Sequence, residues 1–228
     1  MQPWHIAWTL CIVPIVAANG AYLIAVLTDS APACMPYIDG CVSISRAARV
    51  GDALFWFRGL VMPCASLLVL FWWLQKTWLD RLLPSAHKKH LWIFASGAIG
   101  ALFLLLYTNY LGSSGEMYNL MRRFGVTLYF ALTALAQLMS LHTLTRKNID
   151  LAPSVRRLVK AQLILVSIQW VAGIGHVIAK SLSPEDVQNV LENVIEWHFA
   201  LYMTLFFGFS ALTWRRQQYR WRADFDAA

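Results

Sequence analysis

Six apolar runs divide this 228-residue chain, at residues 6–27, 54–75, 91–111, 121–143, 158–180 and 194–214. A helix rises about 1.5 Å per residue and the hydrocarbon core of a bilayer is about 30 Å thick, so about 20 apolar residues cross it. Each run is about that long. The sequence therefore predicts an all-α fold: a polytopic membrane helix bundle of six transmembrane helices, forming a single integral membrane domain over residues 1–228.

Composition agrees. Hydrophobic residues make up 58% of the chain and charged residues 14%, where soluble domains carry about 25% charged residues. No stretch between the runs is long enough for a separate soluble domain. Only Met1–His5 precede the first run, with no basic segment and no small-residue cleavage site, so that run is expected to be a retained helix.

The basic residues fall mostly on alternate gaps. Lys76, Arg81, Lys88 and Lys89 lie in the second gap, and Arg146, Lys147, Arg156, Arg157 and Lys160 in or beside the fourth. Arg215, Arg216, Arg220 and Arg222 follow the last run, and together these are most of the 19 Lys and Arg. Arg46, Arg49, Arg58, Arg122, Arg123 and Lys180 lie on the opposite side, where Glu185, Asp186, Glu192 and Glu196 also gather. By the positive-inside rule both termini are cytoplasmic and the first, third and fifth gaps face out. The expected location is a bacterial inner membrane. The net charge of +7 reflects this asymmetry, and no nucleic-acid partner is expected.

In the first outer gap, Cys34 and Cys41 flank a segment that turns at Asp39-Gly40, a turn-prone pair. On an oxidising side they either form a disulfide or remain two free thiols. No His stands near them, and no metal site is expected. Cys11 and Cys64 lie within spans and are read as packing residues. Ser183-Pro184-Glu185-Asp186 predicts a helix start that runs on into the sixth span. Trp78–Pro84 is read as an amphipathic turn along the inner interface. Trp4, Trp8, Trp72, Trp73, Trp92, Trp170, Trp197 and Trp214 are mostly expected to be interfacial anchors. The basic aromatic strip from Trp214 to Arg222 is expected to grip anionic lipid, a docked protein being the alternative.

Ionisable groups within spans are costly and so mark candidate sites. On the outer side Arg58, Asn109, Tyr110, Arg122 and Arg123 are candidates for holding a lipid headgroup or phosphate. Arg58 lies about one turn inside its apolar run and calls for an acidic or phosphate partner; Arg122 and Arg123 have the plainer reading of snorkelling to the interface. His176, Glu196 and His198 are the catalytic candidates. His176 is flanked by Gly173 and Gly175, which permit close approach of a helix or ligand. Glu196 and His198 point to different sides of one helix, so a His176–Glu196 pair across helices is preferred. Such a pair would move a proton beside a phosphate held by the arginines.

Several segments are similar to one family. Six spans with both ends inside, Pro36-Tyr37-Ile38-Asp39-Gly40 after the first span, and Glu196-Trp197 opening the last resemble the DRAM/Frag/Sfk family. So does Arg122–Phe130 at the fourth span, with Gly125 within it. The family includes autophagy modulators and membrane proteins that remodel the lipid of GPI anchors. The first-loop motif departs from the family pattern, since Cys41 and a Ser-rich run follow Gly40. The resemblance implies work on lipid or lipid-linked substrate at the outer leaflet.

Three functions compete. The preferred one is binding, organising or remodelling lipid at the outer leaflet, with membrane lipids as partners and no cofactor. The second is a membrane-embedded acyltransferase or hydrolase using His176 or His198 with Glu196, although no recognised nucleophile motif is present. The third is b-type haem electron transfer, since His90 and His142 share an inner depth and His176 and His198 an outer one. Against it, His87-Lys88-Lys89-His90 reads as a solvated basic end.

Overall fold

A computed structural model describes residues 2–146, 149–182 and 184–220, without the side chains of His176, Lys180, Ser181, Glu185 and Asp186. Its long helices are α1 (Pro3–Leu27), α4 (Gly51–Leu82), α5 (His87–Tyr110), α6 (Glu116–Leu144), α7 (Pro153–Leu182) and α8 (Glu185–Arg216). All six are long and apolar enough to cross a membrane. Two single-turn helices, α2 (Pro36–Asp39) and α3 (Ile44–Ala47), lie in the connection between α1 and α4. Among the described residues there is no strand.

The six long helices close into a ring. Helix α1 packs on α4 and α8, α4 on α5, α5 on α6, and α7 on α8, while α6 and α7 touch only sparsely. Lipid tails are as apolar as leucine, so helices in a membrane associate through close packing rather than through the hydrophobic effect. Small residues provide it here. Ala18, Ala21 and Ala25 form a buried stripe on α1. At Gly125 the α6 backbone comes so close to α5 that a Cβ would lie 2.9 Å from the Tyr107 nitrogen.

The centre of the bundle is aromatic. Phe71 and Trp72 of α4 meet Phe206, Phe207 and Trp214 of α8, with Phe71 and Phe207 edge to face at 4.8 Å. Trp72, Trp197 and Trp214 are wholly buried, so these three are core residues rather than the interfacial anchors expected. Trp92 is exposed, in keeping with an anchoring role. The end of α4 also differs from the expected surface turn. The helix continues to Leu82 and buries Trp78 and Leu79, because its apolar face extends beneath the tail that follows α8. Tyr219 folds back there, donating from its hydroxyl to the Leu74 carbonyl at 3.1 Å, with the Arg81 guanidinium 5.5 Å from its ring centre. The tail's Trp214 and Tyr219 are thus turned into the protein; Trp221 and Arg222 lie outside the described residues.

The segment His87–His90, read as a solvated basic end, is the first turn of α5 with His90 fully buried. Its Nδ1 lies 2.7 Å from Asp80 Oδ1, and Asp80 also meets His87 at 3.1 Å and Lys76 at 2.7 Å. A carboxylate on the preceding helix draws the imidazole inward. His142, at a similar depth, is exposed and faces elsewhere.

Candidate functional site

The connection from residue 28 to residue 50 folds down onto the mouth of the bundle. Cys34 and Cys41 are bonded as a disulfide, which closes the turn between them. Tyr22 of α1 holds the turn from within: its hydroxyl donates to the Cys34 carbonyl and accepts from the Cys34 N–H, each at 2.8 Å. The Met35 N–H donates to the Asp39 carboxylate at 2.7 Å, and Asn19 donates to the Tyr37 hydroxyl at 3.1 Å. Gly40 has φ +58°, and a Cβ there would lie 2.5 Å from the Val190 carbonyl oxygen, so both conformation and space demand glycine.

Helix α8 grips this connection with one face. Asn193 donates to the Gly40 carbonyl at 2.7 Å and Trp197 Nε1 to the Val42 carbonyl at 2.9 Å. Glu196 accepts from both the backbone N–H of Ser45, at 3.1 Å, and its hydroxyl, at 3.2 Å. The Ser45 hydroxyl is in turn 2.8 Å from that of Tyr107 on α5. A polar chain Tyr107–Ser45–Glu196 thus crosses the mouth of the bundle. The segments Pro36–Gly40 and Glu196-Trp197, distant in sequence, meet here.

Two spaces adjoin Glu196. A narrow cavity of about 80 Å³ runs into the bundle between α1, α4, α5, α6 and α8, lined among others by Pro14, Phe57, Val61, Tyr107 and Phe207. A crevice of about 510 Å³ lies at the sparse α6–α7 seam, backed by α8. Val126, Phe130 and Glu196 belong to the walls of both. Thr127, Glu192 and Glu196 line one end of the crevice, and Gln169 and Trp170 the other. Gly173 leaves room between them, its nearest neighbour being the Phe199 ring.

The arginines divide in their roles. Arg58 does not meet an acidic partner. Its guanidinium donates to the carbonyls of Thr108, Asn109 and Leu111, at the end of α5 where helical carbonyls lack partners. Sequence could not show this, because the carbonyls that satisfy Arg58 belong to backbone about 50 residues away. Asn109 contributes its carbonyl to that cap, and Tyr110 stacks on Tyr118 with ring centres 5.4 Å apart. Arg122 donates to the neutral side chain of Asn119 at 2.8 Å, and Arg123 is exposed. Arg49, counted in the sequence only among the basic residues of the outer side, lies close enough to act electrostatically on both Arg122 and Glu196, and its buried Nε has no hydrogen-bond partner. Glu192 also acts on Glu196, so two guanidinium groups and two carboxylates share this end of the bundle.

Of the catalytic candidates, His198 makes no described hydrogen bond with Glu196, in keeping with their expected placement on different sides of α8. His198 Nδ1 lies 2.9 Å from the Val194 carbonyl of its own helix, and its ring meets Tyr37 edge on at 5.8 Å. It belongs to the packing of the loop. The backbone of His176 lies in α7, while its side chain, with its expected pairing to Glu196, falls outside the described residues. Lys180 and Ser183 likewise fall outside, and α8 begins at Glu185 with Pro184 at its N-cap.

Ser45, Arg49, Tyr107 and Trp170 were not singled out as site residues by sequence reasoning, whereas Gln169 stood out as a polar group deep within a span. Ser45 and Arg49 sit in a polar loop whose contacts come from other helices; Tyr107 and Trp170 look like ordinary span aromatics. A mid-span Gln169 was visible as a signal, since an amide in hydrocarbon needs a partner.

Comparison with curated proteins and with solved structures gives no match. A family description matches residues 3–215, that of the Frag1/DRAM/Sfk1/Cwh43P N-terminal domain. The matched residues take in all six long helices, the disulfide loop and the Glu196 face of α8, and the chain belongs to this Frag1/DRAM/Sfk1/Cwh43P family of membrane proteins.

Proposed function

We propose that this protein binds a phospholipid or lipid-linked anion at the end of the bundle that carries the disulfide loop. The lipid enters sideways through the α6–α7 seam. Its phosphate lies at Arg49 and Arg122, and a chain occupies the crevice along α6, α7 and α8. The observation that carries this reading is the pairing of two neighbouring guanidinium groups, neither joined to a carboxylate by a described hydrogen bond, with a large apolar crevice open at the side. Guanidinium groups suit phosphate because their fixed donors match its oxygens. The alternation of basic gaps favours an orientation with this end outside a bacterial inner membrane and both termini cytoplasmic.

Lipid handling is favoured over acyl transfer or hydrolysis. Both hydrogen bonds described for Glu196 tie it to Ser45, which suits it to anchoring the loop rather than to relaying a proton through His198. The test is native mass spectrometry of the purified chain. Wild type should retain phospholipid, and Gly173→Phe, which fills the crevice, should lose it while remaining folded. Equal retention by both would show that the crevice is not where lipid sits.

A further inference from the structure

The deep end of the crevice holds an unexplained polar pair. Gln169 is completely buried, yet neither its carboxamide oxygen nor its nitrogen has a hydrogen-bond partner. The indole Nε1 of its neighbour Trp170 is buried and unpartnered as well. Both residues line the crevice. A buried amide without partners costs free energy in any apolar setting, and in hydrocarbon no solvent relieves it. Eight residues of α7 separate Val177, near the mouth, from Gln169, a drop of about 12 Å at the helical rise. The walls between are apolar, among them Ile174, Ile195 and Phe199. A headgroup held at the mouth does not reach so far down. A ligand chain that fills the slot runs past both residues.

We propose that the crevice selects lipids whose hydrocarbon chain carries its own hydrogen-bonding group, a hydroxyl or an amide, which Gln169 and Trp170 recognise at mid-membrane depth. This rests on the lipid-binding reading above and names the class of lipid. Trp170 offers a donor, and the Gln169 carboxamide offers donors and an acceptor. Together they match a group that both donates and accepts. A plain acyl chain leaves all three atoms unpaired. Sites built to bond a polar group reject the analogue that lacks it, because their own polar atoms are then left unsatisfied. The crevice therefore discriminates by what the ligand fails to bring.

The experiment presents the purified full chain with an equimolar mixture of two phosphatidylcholines, one with a hydroxyl at mid-chain and one with the same chain unsubstituted. A third arm substitutes a mid-chain amide for the hydroxyl. Native mass spectrometry reads the bound ratio. Wild type should enrich a hydroxylated or amide-bearing lipid about tenfold, as two or three neutral hydrogen bonds would provide. Gln169→Leu should abolish the enrichment while still binding the plain lipid, and its thermal midpoint should equal or exceed that of wild type, since an unpaired amide has been removed. Trp170→Phe should reduce it in part. Equal binding of all the lipids by wild type would overturn the proposal and leave lipid binding standing. Enrichment that survives in Gln169→Leu, or a loss of stability in that variant, would also overturn it by showing the amide to be structural. Absence of any bound lipid in wild type would remove the lipid-binding reading itself.

Discussion

The carboxylate of Glu196 accepts two hydrogen bonds from a single residue, Ser45, through its backbone N–H and its hydroxyl, across 151 positions of sequence. This contact joins the last span to the first loop and, through the Ser45 hydroxyl, to Tyr107. Glu196→Ala leaves the Ser45 donors without an acceptor and should cost about 1–3 kcal/mol. Glu196→Gln keeps an acceptor oxygen in place and should cost less than half as much. Thermal unfolding of the detergent-solubilised variants, side by side, checks the ranking.

The Cys34–Cys41 bridge closes a short loop, with a sequence separation of 7. In the chain-entropy account a loop of that size contributes about 2.5 kcal/mol. Replacing both cysteines with serine should lower stability by about that amount and loosen the Gly40–Ser45 contacts on α8. Faster amide exchange at residues 40–45, with unchanged exchange in α5, is the expected pattern.

Much of this architecture was legible beforehand. The six apolar runs located the helices because hydrocarbon thickness fixes their length, and the Cys34 to Cys41 spacing left a bridge open as one outcome. The site was legible only in part. Arg122 stood out because a charge near a span must be explained. Arg58 stood out for the same reason, but its carbonyl partners at the end of α5 carry no sequence signature. Arg49 was counted only among the outer basic residues because a loop arginine is ordinarily solvated, and only the fold of residues 28–50 brings it beside Arg122. His90 misled because three basic neighbours masked its attraction to Asp80.

Glycines of different surroundings should respond differently to alanine. At Gly97 a Cβ would come within 2.3 Å of the Trp72 ring, and at Gly125 within 3.0 Å of the Tyr107 backbone. Gly97→Ala and Gly125→Ala should each destabilise by about 1–3 kcal/mol, the usual range for overpacking. Gly59→Ala and Gly175→Ala, where nothing lies within 4 Å, should cause no loss. Thermal midpoints of the four variants decide it.

The tail should respond to alkali. Burial pushes the Tyr219 phenol up to about 12 from an ordinary value near 10, despite the nearby Arg81. A phenol raised on folding favours the folded state while neutral in both states, and that contribution declines as pH climbs from about 10 to about 12. Tail docking should therefore be unchanged at neutral pH and weaken over that window. Tyr219→Phe, lacking the hydrogen bond to Leu74, should remove the alkaline transition and cost about 1 kcal/mol at neutral pH. Proteolytic sensitivity near residue 218 against pH, for wild type and variant, measures both effects.

The most direct measurement is the phospholipid stoichiometry of the purified protein by native mass spectrometry, for wild type and for Arg49→Ala/Arg122→Ala, with Arg58→Ala as the comparison. The account predicts retained phospholipid in wild type and in Arg58→Ala, and its loss in the double variant, because Arg49 and Arg122 hold the phosphate while the Arg58 guanidinium is taken up by the carbonyls at the end of α5. Retention unchanged in the double variant would contradict it.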